Sequence, residues 1–139
     1  MTKYRDRPAK IGNLRDLRQE LRILAMIDFG EMRQWGADPD TGLTRCAGNA
    51  GLYEKLIGMI LDDSNFTALE EALRANDLEQ AFQKAHGLKG TTGNLALTPL
   101  FDAICQIVEP LRVKDADFDY NAQMEVIKSE YAKLKELVK

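Results

Sequence analysis

Ala85-His86-Gly87-Leu88-Lys89-Gly90-Thr91-Thr92-Gly93-Asn94-Leu95 sets the only histidine of a 139-residue chain three positions before a lysine and among three glycines. Around it, Leu78, Ala81, Phe82, Ala85, Leu88, Thr92 and Leu95 recur at spacings of three and four, which lays one apolar stripe along an α-helix. At about 100° per residue, His86 points to a shoulder of that helix together with Glu79, Gln83, Gly90 and Gly93, while Lys89 falls between the shoulder and the stripe. A glycine in a helix interior costs about 1 kcal/mol relative to alanine. Gly87, Gly90 and Gly93 therefore break a local rule beside the imidazole, which is where a functional site is expected.

The chemistry that suits these residues is phosphoryl acceptance. A free imidazole has a pKa of about 6.5, so near neutral pH it offers a nitrogen lone pair that can form a covalent intermediate. Phosphoryl transfer is mostly positioning and neutralisation of charge on the phosphoryl oxygens. Lys89, one turn along, can supply a positive charge, and Gly90 and Gly93 remove side chains where a phosphate-bearing partner would approach. The plainer readings are a packing histidine, a solvated lysine, and Gly93 as a helix cap.

Ala85-His86-Gly87-Leu88-Lys89-Gly90, followed by Asn94-Leu95, resembles the A-H-x-L-K-G-x-x-x-N-L signature of histidine-containing phosphotransfer (HPt) domains. The resemblance implies that His86 is the phosphoacceptor, Lys89 its electrostatic partner and Gly90 the clearance residue. It also implies that phosphate arrives from an aspartyl phosphate on a response-regulator receiver domain and is passed on. The family usually has glycine after Asn-Leu, and here that position is Ala96. The resemblance reaches upstream through Leu52-Tyr53-Glu54-Lys55-Leu56 and Leu69, and downstream to Val108-Glu109, spanning roughly residues 37–137.

Outward from this helix the chain reads as more helices. Residues 1–12 form a charged tail, and Leu14, Leu17, Leu21 and Leu24 predict a helix from Asn13 to about Phe29, extended to Trp35 if it crosses Gly30. Asp38-Pro39 opens a short helix ending at Gly48, with Leu43 and Cys46 on its apolar side. From Asn49, Leu52, Leu56, Ile57, Ile60 and Leu61 are expected as a buried face. Asp62-Asp63-Ser64-Asn65 interrupts it before Phe66, Leu69, Ala72 and Leu73 resume, leaving one kinked helix or two over residues 49–75. Asp77, with Gln80 three residues on, caps the His86 helix.

Thr98-Pro99, a cap followed by proline, predicts the next start, and Leu100, Ala103, Ile104, Ile107, Val108 and Leu111 its buried face, with Pro110 bending or ending it. Two residues here join the candidate site at second rank: Gln106, within reach of the imidazole from a neighbouring helix, and Arg112, a second cation or a plain helix-terminal charge. Gln83 and Gly93 on the shoulder complete that rank. Met124, Ile127, Tyr131, Leu134 and Val138 define the last helix. Nothing alternates with period two over a useful length. The expected fold is therefore all-α: an antiparallel four-helix bundle preceded by an additional N-terminal helix and a short helix, divided into residues 1–36 and a bundle domain at 37–139.

Composition narrows the function. With 19 basic and 22 acidic residues the net charge is −3, which argues against a nucleic-acid footprint. Gly87-Leu88-Lys89-Gly90 satisfies the GXXG pattern of an RNA-binding loop, but that fold needs strands. Cys46 and Cys105 suit a reducing compartment, and no apolar stretch approaches a membrane span, so a cytoplasmic location is expected. The sequence carries no Walker motif, since Lys89 precedes Gly90, and no kinase-type nucleotide motif. The expectation is a phosphocarrier rather than an enzyme, without a cofactor or metal of its own, the magnesium coming from the receiver. Expected partners are receiver domains and a hybrid sensor kinase. The four N-terminal leucines are compatible with pairing to a second copy without indicating it. The main alternative is a helical adaptor that binds a signalling partner through the His86 face with no covalent chemistry.

Overall fold

A computed structural model describes residues 27–138, and within them the chain forms seven α-helices and no strand. They are α1 (Phe29–Trp35), α2 (Pro39–Arg45), α3 (Ala50–Leu61), α4 (Asn65–Arg74), α5 (Leu78–Asn94), α6 (Thr98–Arg112) and α7 (Tyr120–Leu137). The expected tail and most of the helix expected from Asn13 lie outside the described residues. Where that helix enters the described range it is corrected: Asp28 is extended and its carboxylate accepts from the Glu31 N–H, so α1 starts afresh at Phe29.

Short connections at 75–77 and 95–97 turn α4, α5 and α6 back on one another, and α7 packs on α6 and returns to α4 and α1. The core is filled by the stripes expected from the sequence. Ala81, Ala85, Leu88 and Thr92 of α5 are buried, as are Leu100, Ala103, Ile104, Ile107, Val108 and Leu111 of α6 and Met124, Ile127 and Leu134 of α7. Thr92 is tolerated there because its hydroxyl donates to the Leu88 carbonyl one turn back, at 2.8 Å. Ile27, Phe29 and Met32 enter this same core from the chain before residue 37.

The Asp62-to-Ser64 interruption makes two helices of residues 49–75. On α3 the expected face holds at Ile57 and Ile60, which are buried, and at Leu56 and Leu61, which pack against the core, and is corrected at Leu52. Leu52 is 40% exposed, whereas Tyr53 is fully buried and its phenol donates to the Leu95 carbonyl at 3.1 Å. One anchored aromatic sets the rotation of α3 and turns the neighbouring leucine outward. Helix α2 stops at Arg45 rather than at Gly48, because Ala47 takes a positive φ and the Gly48 N–H bonds back to the Leu43 carbonyl. Thr98 is not a cap: Leu97, fully buried, holds that position, and the Thr98 hydroxyl turns to the Ala96 carbonyl. Pro110 does not end α6, which continues through the buried Leu111 to Arg112. One lost N–H so close to a helix end costs less than exposing Leu111 would.

The α5–α6 turn is pinned by groups from α2 and the segment before it. Arg45 of α2 donates to the Gly93 and Asn94 carbonyls at 2.7 and 3.2 Å, and the Asp38 N–H bonds the Ala96 carbonyl. Gly42 allows this approach, since a Cβ there would lie 2.5 Å from both the Leu95 carbonyl oxygen and the Tyr53 ring. The N-terminal helices thus hold the end of the helix that bears His86.

Candidate functional site

The site is built on α5, which begins where Asp77 accepts a hydrogen bond from the Gln80 N–H at 3.1 Å. Its buried stripe faces the core, and Gln83, His86, Gly87 and Gly90 are exposed on the opposite side. Among the described residues a Cβ at Gly87 or Gly90 would meet nothing within 4 Å, so neither glycine is required by packing against them. Side chains on a helix lean toward the preceding turn. His86 accordingly lies against Phe82, ring centroids 5.6 Å apart and planes at 24°. The backbone on its other side, at Gly87 and Gly90, is left bare.

Lys89 is half-buried between this face and α6. Its charge opposes the rise that burial imposes on the Cys105 thiol of that helix. Arg112, at the end of α6, places its guanidinium 5.1 Å from the Phe82 ring centroid while bonding Glu109 at 3.2 Å. Arg112 therefore joins the His86 cluster through Phe82, in addition to standing at a helix end.

Two second-rank residues have settings of their own. Gly93 has a packing role. It is half-buried, and a Cβ there would lie 2.8 Å from the Phe101 ring, so this glycine serves the close packing of α6 on α5. Gln106 is exposed on α6, which fits the plain reading of a solvated polar residue. Phe82 is the site residue that sequence reasoning assigned only to the apolar stripe. Its signal was its position, four residues before His86, where an aromatic meets the next turn's side chain.

Toward the C-terminal end of α5, α3 and α5 flank a groove of about 420 Å³ lined by Leu56, Met59, Ile60, Asp62, Asp63, Ser64, Thr91, Asn94 and Leu95, with His86 not among its lining. Among the described residues no three His, Cys, Asp or Glu side chains converge to hold a metal ion, and no helix is long and apolar enough to cross a membrane. A family model described as Hpt domain matches residues 61–136, more than half of the chain. No curated protein and no solved structure matches it.

Proposed function

This chain belongs to the Hpt domain family, whose members are phosphocarriers in two-component signalling, and from that premise we propose that it is a phosphorelay intermediate with His86 as its phosphoacceptor. The donor is an aspartyl phosphate on a response-regulator receiver domain, charged in turn by a hybrid sensor kinase. A second receiver is the destination. The observation that carries this reading is an exposed imidazole on a helix flank where the following outward positions, Gly87 and Gly90, have no side chain and, among the described residues, nothing packed above them.

In the transfer step the lone pair of the neutral imidazole attacks phosphorus in line. The new N–P bond forms as the acyl-phosphate P–O bond breaks, and its electron pair leaves with the receiver aspartate as a carboxylate. The other ring nitrogen keeps its proton, so the product ring carries a positive charge beside the phosphoryl oxygens. Lys89 adds positive charge on the side toward α6, and Gly90 leaves room for the receiver to come in line. The magnesium ion that such chemistry uses belongs to the receiver. The aspartate carboxylate of the second receiver then attacks the phosphorus on His86: a new acyl-phosphate P–O bond forms as the N–P bond breaks, and the imidazole leaves with that electron pair.

Incubation with a receiver labelled on its aspartate tests the reading. The expected result is acid-labile label on this protein that is lost in His86→Gln while the melting temperature is unchanged. Complex formation without label would instead support a non-catalytic adaptor docking through the same face.

A further inference from the structure

We propose that Phe82 is a positioning residue for the His86 imidazole, and that Arg112 holds Phe82 in place. The inference rests on the phosphoacceptor reading of His86. Three observations carry it. The His86 and Phe82 rings are stacked at 5.6 Å and 24°, within the range of favourable aromatic pairs. The Arg112 guanidinium lies 5.1 Å from the Phe82 centroid, so the ring is engaged by a cation as well as by the histidine. That guanidinium is itself restrained by Glu109, with contacts of 3.2 to 3.4 Å.

The consequence is orientational. An exposed histidine on a helix would otherwise exchange among staggered side-chain rotamers. The stack selects the one that leans over the N-terminal turn, away from Gly87 and Gly90, and keeps the ring out of the space a phosphate-bearing partner needs. The face of Phe82 also suits the imidazolium that forms on phosphorylation, because the aromatic quadrupole attracts a cation. Phe82 touches neither phosphate nor receiver. It acts through His86.

Because the chain has a single histidine, its imidazole proton resonances are unambiguous. In the unmodified protein both carbon-bound ring protons are expected upfield, shifted by the Phe82 ring current. Phe82→Leu, which keeps an apolar side chain at this half-buried position, should move them downfield and slow transfer from a labelled receiver about threefold, the loss expected if the ring is shared among three wells. Phe82→Tyr should restore both readouts. Arg112→Gln, a surface change that leaves the core untouched, should give a smaller downfield shift. Unmoved histidine resonances in Phe82→Leu, or a wild-type transfer rate in that variant, would overturn the positioning role alone. Failure of the unmodified protein to take label at all would overturn the phosphoacceptor reading first and the positioning role with it.

Discussion

Ala96 adopts φ 55°, a left-handed conformation that an L side chain rarely takes. It does so because α5 ends in a Schellman motif: the Leu97 N–H bonds the Thr92 carbonyl, and the Ala96 N–H bonds the Gly93 carbonyl. The same device closes α4 at Asn76 and α6 at Lys114, each with positive φ. Asparagine tolerates that region better than alanine does. Ala96→Gly is therefore expected to stabilise the protein by about 1 kcal/mol, partly offset by the greater freedom of glycine in the unfolded chain. A rise of about 3 °C in the thermal midpoint would register it; a fall would mean that the Ala96 methyl contributes packing worth more than the backbone strain. The departure from the family signature is thus a local energetic matter at the helix end, two residues beyond Asn94, the last residue of α5.

Among the elements, α2 has only seven residues, and its start depends on one carboxylate. Asp38 accepts from the Thr41 hydroxyl at 2.6 Å and from the Thr41 N–H at 3.1 Å, and these bonds hold its carboxyl below the ordinary carboxylate range. A depressed folded-state pKa means stability that is present above the unfolded value, about 3.9 for aspartate, and lost as pH falls through the folded one. Comparing Asp38→Ala with the unmodified protein should show a stability difference of about 1 kcal/mol at neutral pH that shrinks below pH 4. A difference constant down to pH 2.5 would show that the carboxylate charge is not what caps α2. Since α2 carries Arg45, which bonds the carbonyls at the end of α5, loosening the cap also loosens the end of the site helix.

On the scale of the whole molecule, the core does not begin at residue 37, where the sequence pattern placed a boundary. Ile27, Phe29 and Met32 are at most 4% exposed within the same cluster as the α5 and α6 stripes, and the Trp35 indole N–H donates to Glu130 of α7 at 3.4 Å. Comparing fragments 27–139 and 37–139 should therefore reveal a large difference by urea denaturation. Three buried side chains are worth about 5 kcal/mol together, enough to unfold a marginally stable domain. Equal stability of the two fragments would show that the α1 residues cover the bundle without holding it. The bundle also ties α4 to α7 through Lys128 and Glu70 at 3.0 Å. Those side chains are partly solvated, so the link matters less than the apolar core beside it.

What the amino-acid sequence determined by itself is what depends on neighbours along the chain. Spacings of three and four marked the buried faces of α5, α6 and α7, Asp38, Asn49 and Asp77 marked helix starts, and the His86 signature marked the candidate site, because periodicity and capping are local physics. Contacts between distant residues decided the rest. The reach of Tyr53 to Leu95 set the rotation of α3 and exposed Leu52. Phe101 gave Gly93 its packing role, and the guanidinium of Arg112 brought a helix-terminal residue to the ring beneath His86. No pattern along the chain encodes which atoms of α6 meet which atoms of α5. That is fixed only when the two stripes close on one another and the volume between them is filled.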